Sequence, residues 1–572
     1  MGIFHFFGWF KKNFSGNIKK LSETQNFESI ELPIDNLMID MNGLFHNSAQ
    51  KIFQYGDFKP PDRLLKNNKK TIHGKKEELK VFEDICKSIN DLLILVKPQK
   101  RLILCVDGPA PYSKQVQQKK RRFCSAKERD DDDKSFDSNC LSPGTKFMDH
   151  LSKYIDWYIR KSISENPLWK NIEIILSNEK VPGEGEALIF SYIRQYGNIN
   201  ESYITVADDA DVVMLSLGTH HPNIYVLRND TYDINNKYFV INISNTSLQL
   251  GEMMRWDSEK YEYNVKNAVD DFIFINFLIG NDFLPHISSL EIIESGIDII
   301  LCFYRDVGTA KGHITKTTDG NIYFNKDVLK MFFEFISGYE KEILEKKLSK
   351  GRLYYEDELL ENCAVFEKDK IDLDIDKYRT EYCKKYFKNK NIKKVCHDYL
   401  EGLQWVISYY KKGVPNWKWY YPYNYAPPTN FIAEHIITFI QPKYQKTFPL
   451  LPFQQLISIM PSKSSYLLPY PLNKLLTDDD SPIKEYYPED FEIDLAGKKN
   501  DWQGVVILPI ITPEKVVETY LTKVKLVDEK EMRRNILGKS FIYFYNKDIN
   551  ITFNSYYGTI YNCKVQNKQI NL

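Results

Sequence analysis

Between residues 36 and 210, short uninterrupted apolar runs alternate with longer stretches whose apolar positions recur every three or four residues. The runs Asn36–Asp40, Arg101–Asp107, Ile172–Leu176 and Tyr203–Ala207 are rich in Ile, Leu and Val. Such runs predict strands buried on both faces, as in a parallel sheet. Helical periodicity marks Glu77–Leu95, Lys114–Lys127, Gly144–Ser164 and Glu184–Gln195 between them, and further helices are expected over Phe272–Ile279 and Lys326–Leu348. The alternation predicts an α/β fold, a mainly parallel sheet flanked by helices, whose site lies at the carboxyl ends of its strands.

After this first region, residues 1–345, the pattern fades. From Glu345 to Lys394 the chain is dominated by Lys, Glu, Asp and Asn and reads as an exposed connector or surface subdomain, residues 346–394. A second region, residues 395–572, is crowded with Trp, Tyr and Pro and is expected to be largely helical and packed on the first. No internal repeat is visible, and Asp130–Asp133 reads as a solvated loop.

Composition narrows this picture in three ways. The 572 residues are 43% hydrophobic and 14% aromatic, which fits a large packed core and excludes a disordered chain. Lys plus Arg and Asp plus Glu both number 77, so a uniformly basic surface is excluded, while a local basic channel beside an acidic site is not. The nine cysteines form no C-x-x-C pair, which fits a reducing compartment and argues against a zinc knuckle or a disulfide framework. No apolar run approaches the roughly 18 residues of a membrane span. The start Met-Gly-Ile-Phe-His-Phe has neither a signal-peptide nor a myristoylation pattern, so a soluble intracellular protein is expected.

Candidate chemistry sits where strands end. Asp40 and Asp107 close two of the apolar runs, and Glu184 and Glu186 stand in the turn Val181-Pro182-Gly183-Glu184-Gly185-Glu186. Asp209 and Asp211 follow a third run, and Asp282 lies in Gly280-Asn281-Asp282-Phe283. Singly, each has an ordinary explanation as a turn, helix-cap or first-turn acid, and Asp208, Asp270 and Asp271 are assigned to that class. Jointly, seven carboxylates at strand ends and glycine turns suit a pair of hard divalent cations about 4 Å apart. Beside them, Lys114, Gln118, Arg121 and Arg122 share one helix face immediately after Asp107 and Pro111, a donor set suited to a phosphate. The run Lys119-Lys120-Arg121-Arg122 also has the form of a nuclear-localisation patch.

In order along the chain, these segments resemble the Xrn family of 5′→3′ exoribonucleases. The resemblance covers Met1-Gly2 with Phe7-Gly8-Trp9, Asp35 to His46, Asp107 to Glu128, Phe136 to Cys140, Val181 to Glu186, Asp209 to Asp211 and Gly280 to His286. In the second region it continues through Glu401–Val406, Trp417–Tyr423 and Tyr487–Phe491. It implies a flap-nuclease or PIN-like catalytic core completed by the second region. It further implies that Asp40, Asp107, Glu184, Glu186, Asp209, Asp211 and Asp282 bind two Mg²⁺ or Mn²⁺ ions. Lys114, Gln118, Arg121 and Arg122 would then hold a 5′-monophosphate, His46 would stack on the first base, Pro111 would help exclude duplex, and Trp417 or Trp419 would stack or pack nearby. The implied partner is single-stranded RNA bearing a 5′-monophosphate, such as decapped mRNA, degraded processively to nucleoside 5′-monophosphates. Alternatives are a flap-type DNA nuclease and an inactive RNA-binding scaffold.

Departures from the family pattern are Ala187-Leu188 after Glu186 and Tyr112 in place of a common Arg. No cysteine knuckle lies between Arg228 and Val269, which favours a cytoplasmic type, and the long C-terminal domains of cytoplasmic relatives are not expected here. The abundance of Lys, Asn, Ile and Tyr is consistent with an AT-rich genome, viral or protist.

Overall fold

The computed structural model describes residues 6–22, 24–58, 74–129, 136–229, 237–290, 296–350, 355–368, 370–388 and 390–572. Met1-Gly2 and Asp130–Asp133 lie outside the described residues. A nine-stranded sheet organises the molecule. Its strands are β1 Ile18–Leu21, β2 Asn36–Asp40, β3 Arg101–Cys105, β4 Glu173–Ser177, β5 Tyr203–Val206, β6 Ile224–Asn229, β7 Tyr238–Asn242, β8 Ser540–Tyr545 and β9 Val565–Ile570. The spatial order is β1-β7-β6-β5-β2-β3-β4-β8-β9. The five central strands, β6 through β4, run parallel. Both edges are antiparallel, β7 and β1 on one side and β8 and β9 on the other.

The expected strands are present almost to the residue, because both of their faces are buried. Along β2, Leu37 and Ile39 join one core and Met38 the other, the two-residue alternation of a pleat. Helices α1 (Met41–Phe53), α2 (Lys75–Val96) and α4 (Lys146–Glu165) cover the first face, with α3 (Tyr112–Lys127) between α2 and α4 in the chain. Helices α5 (Gly185–Tyr196), α6 (Asp211–Gly218), α7 (Val265–Asn276) and α8 (Ile392–Lys412) cover the second. The helix expected at Phe272–Ile279 begins earlier, at Val265, where Asn264 caps it by accepting the Asn267 N–H. Strand order reverses between β5 and β2. That reversal opens a crevice at their carboxyl ends, the usual ligand position in such sheets.

Two features of the second region were not foreseen. It is helical in part, but it also returns to the main sheet, pairing Phe541 with Leu176 and Tyr543 with Ile174. It also builds a third core around α3, in which Tyr112 and Phe123 pack with Phe453, Leu456 and Tyr487. The described part of residues 346–394 is not merely exposed: Leu360, Leu373, Tyr378, Tyr382 and Phe387 form a small core with Leu344 and Val395, against which Tyr423 and Tyr425 pack. Among the described residues no helix is long and apolar enough to cross a membrane.

Candidate active site

Register brings the acids together. Asp40 is the last residue of β2 and pairs with Cys105 of β3, so Asp107 emerges beside it two residues later. The loop after β4 then folds back over the Asp107 loop. Gly108 N–H donates to Gly183 O at 2.8 Å, and Gly183 N–H to Pro109 O at 2.9 Å. Neither glycine position is incidental. A Cβ on Gly108 would lie 1.7 Å from Val181 O, and one on Gly185 would lie 2.6 Å from Asp40 Oδ1. The same interlock lets Gly185 N–H donate to Asp107 Oδ1 at 2.7 Å, which brings Glu184 near Asp40 and Asp107 and Glu186 near Asp209 and Asp211. Asp209 and Asp211 follow β5, with Asp211 in the first turn of α6. Asp282 comes from the far helical layer, held in a turn where Asn281 Oδ1 accepts the N–H groups of Phe283 and Leu284 at 2.8 and 2.9 Å.

Crowding of buried carboxylates governs the electrostatics. Burial, with Asp107, Asp209 and Glu184 nearby, pushes the Asp40 carboxyl up to about 8. Glu184, Glu186 and Asp211 are also raised, first by burial and then by neighbouring acids. Asp282 goes the other way: burial raises it, but the Lys114 ammonium outweighs burial and holds it below the ordinary value. Lys114 Nζ lies 2.5 Å from Glu184 Oε1 and 2.7 Å from Asp282 Oδ2. The sequence placed Lys114 with the phosphate donors; in the structure its ammonium is set among the acids.

Tyr409, which the sequence did not single out, completes this group. Its hydroxyl donates to Glu184 Oε2 at 2.8 Å. Its ring stacks on Trp405 at 5.3 Å, and Trp405 stacks on Trp419 at 5.0 Å. The i, i+4 spacing of Trp405 and Tyr409 was visible in the sequence, but an aromatic pair on an apolar helix reads as core, which it also is.

As the side chains stand, no three His, Cys, Asp or Glu groups among the described residues converge as the ligand set of one ion. Their chemistry still fits hard divalent cations. All seven donors are carboxylates, Asp211 Oδ1 is buried without a hydrogen-bond partner, and Lys114 ion-pairs with two of the seven acids.

The rest of the donor face lies next to this cluster. Arg122 is buried, with one guanidinium N–H on Ser142 Oγ at 2.8 Å and its Nε unpartnered; Gln118 Oε1 is also buried and unpartnered. Arg121 is exposed. Half-buried His46 is lowered to about 4 by burial and then by the charges of Arg121 and Arg122, which keeps it neutral at pH 7. Pro111 caps α3, and Tyr112 N–H donates to Trp417 O at 2.9 Å. Tyr112 is fully packed, its hydroxyl on Ile511 O at 2.5 Å, so its replacement of Arg ties α3 to the second region. Two cations of the Lys119–Arg122 run are inside the fold: Lys119 donates to Tyr486 O and Pro509 O, and Arg122 is buried. Asp270 and Asp271 are not the turn or first-turn acids expected but buried structural acids in the middle of α7, the first bound by Lys411 and the second by His313, Tyr304 and Thr315.

Two family models match the chain. The model described as XRN 5′-3′ exonuclease N-terminus matches residues 1–230, and that of the Xrn1 helical domain matches residues 262–373 and 354–572. The chain belongs to the Xrn family. The 5′-3′ exoribonuclease 2 homolog of Drosophila melanogaster is 28% identical across 96% of this chain and 74% of its own length. The 5′-3′ exoribonuclease 1 proteins of Homo sapiens and Saccharomyces cerevisiae are 28% and 26% identical, across 97% and 98% of this chain. This Xrn chain spans 36% and 46% of their respective lengths. Among solved structures, the catalytic core of Rad2 in complex with DNA substrate is similar over 64% of this chain and 83% of that one. Identity there is 14% and the TM-score 0.33.

Proposed function

We propose that the chain is a metal-dependent 5′→3′ exoribonuclease acting on single-stranded RNA with a 5′-monophosphate. One observation carries this reading: six carboxylates follow the carboxyl ends of the central strands, Asp282 approaches them from the helical layer through Lys114, and Gln118, Arg121 and Arg122 adjoin them on α3. Two Mg²⁺ or Mn²⁺ ions held by Asp40, Asp107, Glu184, Glu186, Asp209, Asp211 and Asp282 would activate water and stabilise the leaving oxygen.

The chain's own residues do the rest. Gln118, Arg121 and Arg122 hold the terminal phosphate, with the Gln118 Oε1 and Arg122 Nε atoms buried and without protein partners. Neutral His46 offers a flat ring to the first base without reading its identity. The Trp419 ring is committed to Trp405, which makes Trp417 the better candidate for a second platform. Hydrolysis adds water across the first phosphodiester. The bond from phosphorus to the 3′ oxygen of the first nucleotide breaks, that oxygen takes a proton, and the new 5′-phosphate stays on the shortened strand. Lys114 balances charge between Glu184 and Asp282 and does not bind the terminal phosphate in this arrangement.

Substrate class tests the reading. Single-stranded 5′-phosphorylated RNA should be degraded to mononucleotides in Mg²⁺, at least about tenfold faster than the same sequence as DNA or as a DNA flap. Preference for the flap would make the chain a structure-specific DNA nuclease instead. In the same assay Tyr409→Phe should lower kcat by about tenfold with little change in KM, because Glu184 loses the hydroxyl that fixes it while the RNA contacts persist. A KM effect alone would show that Tyr409 serves binding only.

A further inference from the structure

A cavity of about 800 Å³ lies along the other side of α3. The helix contributes Gln117, Lys120, Arg121 and Cys124 to its wall. Across from them stand the Asp282 loop, residues 421–425, part of the segment 344–386 and the loop 493–506. Only Arg121 and Asp282, of all the residues assigned above to the site, line this space. His46, Pro111, Trp417 and Trp419, assigned to gripping the strand, are absent from its wall, as are Lys114, Gln118 and Arg122. The cavity therefore meets the site at Arg121 and Asp282 and away from the RNA contacts.

The geometry points to a product chamber, which takes up the nucleoside 5′-monophosphate released in each cycle. This inference rests on the exoribonuclease reading. After each cut the freed nucleotide lies at the phosphate socket, while the remaining strand still occupies the side by which it entered. The nucleotide must leave before the strand advances by one unit, and the space beyond Arg121 is the free direction. Its volume falls within the range of small-molecule sites, about 300–1,000 Å³.

The walls suit a nucleotide held weakly. Lys120, adjacent to Arg121 on the helix, lines the wall with its Nζ 2.8 Å from Asn424 Oδ1. Lys498 Nζ lies 3.1 Å from His286 Nε2, and the half-exposed Trp502 supplies an aromatic surface. Opposite them Asp494 accepts the hydroxyls of Tyr386 and Tyr425. Asp357 and Asp501 line the same space, so the cations are balanced and a phosphate is not trapped.

Cys124 makes the chamber testable, since its half-buried thiol lines the wall and belongs to no proposed catalytic group. In a Cys302→Ser, Cys383→Ser background, Cys124 is modified with a bulky methanethiosulfonate in the presence of AMP, adenosine or inorganic phosphate. AMP should slow the modification by roughly fivefold and adenosine should not. The modified enzyme should make its first cut at the unmodified rate and then turn over about tenfold more slowly, since product release has become limiting. Lack of AMP protection, a Cys124 that the reagent cannot reach, or equal slowing of the first cut and of turnover would each overturn the chamber. If the unmodified background protein fails to cut RNA at all, the exoribonuclease reading itself has failed, and AMP protection then reports on the cavity alone.

Discussion

Asp40→Asn yields a protein that is more stable without metal and close to inactive. Asp40 sits at the centre of the acid cluster, and removal of its charge should lower RNA hydrolysis by about a thousandfold or more. The stability effect has a definite sign. In the fold this carboxyl keeps its proton up to about pH 8, whereas in the unfolded chain it releases it near pH 4. Between those limits the unfolded state binds fewer protons, so with chelator present stability falls as pH rises, by an upper limit of about 4 kcal/mol at pH 7. Asparagine escapes that cost. Thermal melts in EDTA at pH 7.5 should place Asp40→Asn several degrees above the native protein, with the gap closing toward pH 4 and narrowing when Mg²⁺ is added. A variant that melts lower at pH 7.5 would contradict the burial of a strained carboxyl cluster.

Gly108→Ala should destroy activity with the opposite effect on stability. The added methyl would meet Val181 O at 1.7 Å, and backbone on that loop has no flexible end to move aside. Relief requires separating the loop of Asp107 from the loop of Glu184 and Glu186, which also breaks the reciprocal Gly108–Gly183 and Gly183–Pro109 hydrogen bonds. We expect a loss of about 3 kcal/mol or more and a melting point lower by several degrees. Hydrolysis should be lost even at temperatures where the variant remains folded. The two inactive variants thus differ in the sign of their melting shift, which separates loss of a charge from loss of geometry.

The parts of this molecule that were legible in the sequence are those whose signal is local. Strands β2 to β5 announce themselves because burial on both faces demands unbroken Ile, Leu and Val, and a carboxylate at the end of such a run stands out. The joining of β8 to β4 was not legible, since it pairs residues more than 360 positions apart (Phe541 with Leu176) and no local pattern encodes that partner. Lys114 was read with Gln118, Arg121 and Arg122 because they share a helix face. A helical wheel gives direction but not reach, and its four-carbon stem carries the ammonium to Glu184 and Asp282. Tyr409 was hidden for a related reason: a buried aromatic that packs on Trp405 has the same sequence signature whether or not its hydroxyl finds a carboxylate. The charged composition of residues 346–394 masked a small core because its apolar members are mostly tyrosines and scattered leucines.

The central claim is that the donors of α3 form a socket for a terminal monophosphate beside an acid-held metal site. The most direct measurement follows one RNA sequence carrying a 5′-monophosphate, a 5′-triphosphate or a 5′-hydroxyl, in Mg²⁺, with Asp209→Ala as control. Release of mononucleotides from the monophosphate RNA alone, abolished in the control, is the predicted result. Equal decay of all three RNAs would contradict the socket, and the absence of decay from every one would contradict the enzyme.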